Sequence, residues 1–238
     1  MINAEIYKLR TQLHPIGYAT VLLVGVLVPS AVLIWYTPTD SSTYTEAFRA
    51  TFGIISVLLA IEFGGWLLGT EYRQGTVKRM LTSEPRRLRA LATKGGVGAA
   101  GLAAVLVTGA TVGWVAARVV GSMNDVTVPW QGWELLGDGL TALVAATFAY
   151  GLSAITRSDS FAKVGTVALI LVIEPMLGAI PHVGDYTIGS ALNGITTWIA
   201  SEQAMPGTLA VSTAFVTLAA WLGAVTVTGA TLFARRDV

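Results

Sequence analysis

The chain has no cysteine and only two histidines, His14 and His182. The first absence excludes a disulfide framework, thiolate chemistry and Cys-ligated zinc or iron–sulfur sites, and the second makes a dedicated metal centre improbable. Charge is equally scarce. Asp, Glu, Lys and Arg make up 12% of the 238 residues, where a soluble chain carries about 25% to cover its surface. Fifteen basic side chains nearly cancel fourteen acidic ones, so the chain is no polycation made for nucleic acid. There is also no GxxxxGK[ST] phosphate loop, so the chain does not cradle a nucleotide in the usual way. Hydrocarbon takes the place of charge. Hydrophobic residues are 53% of the sequence and the mean hydropathy is +0.65, so much of the surface faces something other than water, with lipid the obvious candidate.

A bilayer core about 30 Å thick is crossed by roughly 20 apolar residues at about 1.5 Å each. Six runs meet that length, over 16–36, 50–70, 97–117, 135–155, 164–180 and 208–233. They predict an all-α integral membrane protein with six transmembrane helices in a single domain, 1–238. The first run is too long for a signal h-region and leads into Tyr36, Thr37, Pro38, Thr39 and Asp40 rather than a small-residue cleavage site. Lys and Arg favour one side of this layout. Lys8 and Arg10 precede the first run; Arg73, Lys78, Arg79, Arg86, Arg87, Arg89 and Lys94 lie between the second and third. Arg157 and Lys163 lie between the fourth and fifth, Arg235 and Arg236 follow the sixth, and only Arg49 and Arg118 fall opposite. Basic loops stay in the cytoplasm, so both termini are expected there. Asp40, Glu46, Asp125, Glu134, Asp185 and Glu202 fall on the other side. Ala, Gly and Val richness with Arg-heavy loops suits the inner membrane of a bacterium with a GC-rich genome.

Two further segments carry helical periodicity without spanning. Ile2, Ile6, Leu9 and Leu13 recur on one side, with Asn3, Glu5, Lys8, Arg10 and Gln12 on the other. This predicts an amphipathic surface helix over 1–14, separated from the first span by Pro15. Within the external segment 182–207, Ile188, Leu192, Ile195 and Ile199 repeat the pattern beside Trp198. They predict a short helix that lies at the outer interface or dips into it.

The loop over 70–94 holds nearly half the basic residues. Its plain reading is a charged loop that fixes topology. Its details ask for more. Glu71, Tyr72 and Arg73 stand at the membrane exit, and Gly75 and Thr76 follow, where glycine permits a turn. Val77, Met80 and Leu81 then form a small apolar face on a basic helix, a surface suited to a groove on a partner. Pro85, preceded by the capping candidates Thr82 and Ser83, starts the helix that leads back to the membrane.

The stretch 69–87 resembles the second-to-third loop in permease subunits of ATP-binding-cassette transporters of the type-2 export class. Their pattern is a Glu, a Gly-Thr, then a Leu and a Pro with basic neighbours; here these are Glu71, Gly75, Thr76, Leu81, Pro85, Arg86 and Arg87. The six-span plan, the amphipathic N-terminal helix and the ending from Phe233 to Val238 are also similar. The resemblance implies a permease for efflux that works as a dimer, expected to be of identical chains, driven by two separate ATPase subunits that hold ATP and Mg. This chain would hold no cofactor and catalyse nothing itself. The loop would form the coupling helix seated in a groove of the ATPase, with Glu71, Tyr72, Arg73, Gly75, Thr76, Val77, Met80 and Leu81 at that interface, and substrate would bind in an apolar cavity between the two permeases.

Two carboxylates fall within spans, where a charge costs roughly 2.5–3.5 kcal/mol and needs a partner, water or a proton. Glu62 reads equally as a structural partner, a gate or a coupling residue. Glu174 precedes Pro175, which removes a backbone donor and breaks the helix. Glu174, Pro175, Pro181 and the 188–199 helix form an external lid, or Glu174 marks a simple kink. Asp138 and Arg118 are expected to snorkel to the interface. GxxxG spacings at Gly65 and Gly69, and at Gly109 and Gly113, read as helix packing. Three other functions compete. An ion- or proton-coupled secondary transporter would titrate Glu62 and Glu174, but only one span is plainly broken. An intramembrane hydrolase would use Ser153, with His182 a helix length away. A membrane anchor would use the basic loop only for docking.

Overall fold

The computed structural model describes residues 2–11, 13–130, 132–201 and 208–236, and among them every regular element is helical. Six helical segments are long and apolar enough to cross a membrane: Pro15–Tyr36, Ser41–Arg73, Arg87–Met123, Gly132–Thr156, Asp159–Gly178 and Val211–Arg235. The chain is a multi-pass membrane protein. The corresponding helices are α2 (Leu13–Tyr36), α3 (Ser41–Arg73), α5 (Arg87–Met123), α6 (Gly132–Thr156), α7 with α8 (Asp159–Ala168 and Glu174–Gly178), and α10 (Val211–Arg235). The short helices are α1 (Ile2–Thr11), α4 (Val77–Ser83) and α9 (Ile188–Ser201). Gln12, Glu202 and the rest of 202–207, and the terminal Asp237 and Val238, all named above, lie outside the described residues.

Hydropathy underestimates the helices that flank the basic loop. The 70–94 loop shrinks to residues 74–86, because α3 runs on to Arg73 and α5 starts at Arg87. Charged side chains end an apolar run, whereas backbone hydrogen bonding continues through them. Pro15 does not mark a boundary either. It sits in the first turn of α2, where its missing N–H costs no intrahelical bond. At the start of α5 the N-cap is Arg86, without a side-chain hydrogen bond, and the Thr82 hydroxyl donates back to the Lys78 carbonyl at 2.9 Å, so Thr82 caps nothing.

α3 is the hub of the bundle. Of its most apolar stretch 61% is buried, against 11% for the Asp159–Gly178 span. Small residues let its neighbours approach: a Cβ on Gly64 would lie 2.2 Å from the Ala146 carbonyl oxygen of α6, and one on Gly69 would lie 2.6 Å from Asp159 Cα of α7. The Gly65 and Gly69 pair is therefore a groove for α7, while Gly109 and Gly113 receive Leu22 of α2 and Phe48 of α3. Phe48, Phe52, Phe63, Trp66 and Leu67 of α3 form the main core with Leu22, Leu102, Leu106 and Leu135. The far end of α3 is capped by Asp40, whose hydrogen bonds from the Ser42 side chain and amide hold its carboxyl below the usual carboxylate range.

The segment α7–α8 is interrupted rather than broken. A π-helical turn, Leu169–Ile173, precedes Glu174 and Pro175, and the Glu174 amide donates to the Leu169 carbonyl. A proline ring clashes with the carbonyl four residues earlier, and widening the turn by one residue relieves that clash. Pro175 then stands at the start of α8, which ends at Gly178.

Candidate functional site: the charge network beneath the bundle

On the face that carries α1, α4 and the end of α10, called the basic face below, charged side chains converge under the spans. Glu71, in the last turn of α3, is the centre. Its carboxylate accepts from Lys94 Nζ of α5 at 2.9 Å and also from Lys8 Nζ of α1 and the Thr76 hydroxyl. Lys94 reaches Glu5 of α1 at 3.1 Å. The Lys94 side chain is fully buried and that of Glu71 is 9% exposed. Two carboxylates and two ammonium groups make a neutral quartet, the condition under which buried charge is tolerated. Lys8 also lies over the Trp66 ring, 5.8 Å from its centroid.

The chain leaves α3 through a turn that the same residues close. Gly75 adopts φ +65°, its amide donates to the Tyr72 carbonyl at 3.2 Å, and the Thr76 amide donates to the Glu71 carbonyl at 2.9 Å. This is the Schellman arrangement, in which glycine supplies the left-handed residue. Thr76 thus engages both the backbone and the side chain of Glu71, and α4 starts one residue later.

α4 turns its apolar face inward. Val77 and Met80 are buried with Leu68, Ala90, Leu91, Ala154 and Phe233, and Leu81 and Tyr72 pack against them. Val77, Met80 and Leu81 therefore do not form a free apolar surface: the spacing that suits a partner's groove is satisfied by the chain's own α5, α6 and α10. Exposed instead are Lys78, Arg79, Thr82, Arg86 and Arg89. Arg73 is exposed as well, but tied at 2.8 Å to Asp159 at the start of α7.

Glu62 has a partner. Lys163 Nζ of α7 lies 2.7 Å from its carboxylate and 3.9 Å from that of Asp159, so Arg73, Asp159, Lys163 and Glu62 form a ladder joining α3 to α7. The C-terminal end is fastened on the same face. Arg87 donates to the Ala234 and Arg236 carbonyls at 3.2 and 2.6 Å, and Arg236 donates to the Ile155 carbonyl at 2.6 Å, closing the ends of α10 and α6.

Glu174 stands far from this network. Its two carboxylate oxygens accept from the amides of Ile188 and Gly189 at 2.7 and 2.8 Å, while Thr187 Oγ1 accepts from the Ser190 amide at 3.2 Å, so Glu174 and Thr187 together cap the N-terminus of α9. α9 buries Ile188, Ala191, Leu192 and Ile195 against α6 and α10. Glu174 and α9 are thus one structural unit. Glu174→Ala is expected to raise hydrogen exchange at the Ile188 and Gly189 amides about tenfold or more, since a lost cap costs about 1 kcal/mol or more. Mass-spectrometric exchange reads this directly, with Glu174→Gln intermediate.

The remaining sequence candidates separate. Asp138, a quarter exposed, faces Arg49 of α3 at 3.5 Å, while Arg118 lies over the Trp114 ring, 5.2 Å from its centroid. The Ser153 hydroxyl is buried with no hydrogen-bond partner among the described residues, so none of these prepares it as a nucleophile. Two apolar crevices lie within the subunit, one of about 520 Å³ among α3, α5, α6 and α10 beside Leu67, Leu91 and Tyr150, the other of about 730 Å³ beside Phe52, Trp130, Trp133 and Leu140.

Reading loops by charge hides Glu5, Lys94, Asp159 and Lys163. A usable signal exists for Lys94, which shares a helical face with Leu91 and Gly98, both buried. No protein-family model matches the chain, and no curated protein matches it.

Proposed function

We propose that this chain is the permease subunit of an ATP-driven exporter of the type-2 ATP-binding-cassette class, forming the pathway as a dimer in a bacterial inner membrane with both termini cytoplasmic. Separate ATPase subunits hold ATP and Mg and bear on the connection between α3 and α5. The observation that carries this reading is the Glu71 quartet. It fixes the start of that connection to α1, α3 and α5 at once, so that a push on the exposed side of α4 reaches three helices. Arg73 and Asp159 extend the coupling to α7.

The division of labour differs from the motif's simplest reading. Glu71, Val77 and Met80 position α4 from within, and Lys78, Arg79 and Arg86 offer a basic surface to an acidic groove on the ATPase. The amphipathic α1 and the α9 unit serve as a surface brace and an outer cover. An apolar, amphipathic substrate suits the two crevices, whose linings are almost wholly hydrocarbon and aromatic. Ion coupling through Glu62 and Glu174 draws less support, because one carboxylate is paired with Lys163 and the other holds two backbone amides.

The test is ATPase retention on the immobilised chain in mild detergent. Lys78→Glu with Arg79→Glu is expected to lower it about tenfold or more, with the folded fraction unchanged. Equal retention by the double variant would remove α4 from the interface.

A further inference from the structure

Two arginines close the basic end of the crevice of about 520 Å³. Arg87, at the start of α5, donates to the Ala234 and Arg236 carbonyls at the end of α10, and Arg236 donates to the Ile155 carbonyl at the end of α6. Leu88, Ala154 and Ala230 of the crevice wall lie within four residues of these contacts. Both arginines are half-buried, and among the described residues no carboxylate pairs with either. Carbonyl groups are dipoles without net charge, so two positive charges remain to be met where burial makes an unpaired ion costly. Glu84 does not offset them, being engaged by Arg89 at 3.6 Å.

The walls call for hydrocarbon. The hydroxyls that line the crevice are spent within the bundle: Thr147 on the Leu143 carbonyl, Tyr150 on that of Leu91 and Thr226 on that of Leu222. Along its middle α5 supplies only Ala92, Gly95, Gly96 and Ala99, and nothing lies within 4 Å of a carbon added at Gly96. Ala92, Gly96 and Ala99 are exposed, so the crevice opens sideways toward the bilayer. On α5 it runs from Leu88 to Leu102, which is about 21 Å at the rise of an α-helix and half the thickness of a bilayer of about 40–45 Å with its headgroups. Leu143 lines both this crevice and the second one and stands between them.

An unmet positive charge at the basic end and a hydrocarbon wall one leaflet deep match an anionic lipid rather than a spanning helix. We infer that this crevice seats an anionic phospholipid from the leaflet on the basic face, with its phosphodiester against the guanidinium groups of Arg87 and Arg236 and an acyl chain along Gly96 and Ala99. The inference rests on the reading of the crevice as the seat of an amphiphile and names its class. Lipid binding needs no ATPase, so failure here leaves the exporter reading to the retention assay.

The test is native mass spectrometry of the delipidated chain in mild detergent, titrated with phosphatidylglycerol and with phosphatidylcholine of the same acyl chains. The first phosphatidylglycerol is expected to bind about tenfold or more tighter than phosphatidylcholine, without displacement by inorganic phosphate. Arg87→Gln with Arg236→Gln should bind the two lipids alike, and Arg87→Lys with Arg236→Lys should keep the preference. Gly96→Leu, which places a side chain in the crevice, should weaken phosphatidylglycerol about tenfold with the folded fraction unchanged. Lys78→Gln with Arg79→Gln removes equal charge from α4 and should change nothing. If the glutamine pair fails to fold, the Gly96→Leu and α4 variants decide. Equal binding of both lipids by the unaltered chain would overturn the inference, as would a preference that Gly96→Leu leaves intact. So would its loss in the α4 variant, or displacement of the lipid by inorganic phosphate.

Discussion

Replacing Glu71 with Ala is expected to destabilise the chain by about 3–5 kcal/mol, the cost of removing one partner from a buried ion pair. Lys94 is fully buried, and without Glu71 only Glu5 remains to neutralise it while Lys8 loses its carboxylate. Thr76 loses its acceptor as well, so the turn into α4 loosens and α1 loses one of its ties to the bundle. Glu71→Gln keeps an acceptor and should fall between. The informative control is Glu71→Leu with Lys94→Met, since exchanging both buried charges for apolar groups of similar volume often restores stability. Thermal unfolding in detergent measures the first effect. Because the chain has no cysteine, a thiol placed at Ile2 reports α1 by its labelling rate. Unchanged unfolding and unchanged labelling in Glu71→Ala would mean that the quartet holds nothing together.

The second large effect belongs to the glycines of α3. Gly64→Ala places a methyl group 2.2 Å from the Ala146 carbonyl oxygen, and Gly69→Ala places one 2.6 Å from Asp159 Cα and 2.7 Å from its amide nitrogen. In both cases the obstacle is backbone, which cannot swing aside as the end of a side chain can. The neighbouring helix must shift, and overpacking of this kind costs about 1–3 kcal/mol or more. The two variants differ in consequence. Gly64→Ala separates α3 from α6 within the core, whereas Gly69→Ala moves the start of α7 and with it Asp159, so the ladder from Arg73 to Glu62 loses its register. Gly69→Ala should therefore lower both the unfolding temperature and any transport driven through α4. Gly223→Ala in α10, where nothing lies within 4 Å of the added carbon, should lower neither and serves as the control.

The spans were legible because length and apolarity are the only conditions a crossing helix must meet: four runs fall wholly within a helix of the fold, while 164–180 overruns the end of α8 at Gly178 and 208–233 begins before α10 starts at Val211. Gly75 was legible for a related reason, since few residues other than glycine enter the left-handed region at low cost. The charged residues were less so. A hydropathy reading assigns Lys94 and Lys163 to loops because charge ends an apolar run. Folded, each lies within a helix and meets a carboxylate from a distant part of the chain. Val77 and Met80 illustrate the opposite confusion. An amphipathic helix states that one face is covered but not by what, and here the cover is the chain itself. Glu174 as a cap of α9 could not be read at all. The hydrogen bonds join residues 14 and 15 positions apart through a π-helical turn that only the fold reveals.

The most direct test of the exporter reading is native mass spectrometry of the complex extracted from its own membrane in mild detergent. The account predicts an assembly of two copies of this chain with two soluble subunits that carry a phosphate-loop motif, which Lys78→Glu with Arg79→Glu reduces to the permease pair. A chain found without such a subunit, and active in proteoliposomes without ATP, would contradict the account and return Glu62 and Glu174 to the centre of the mechanism.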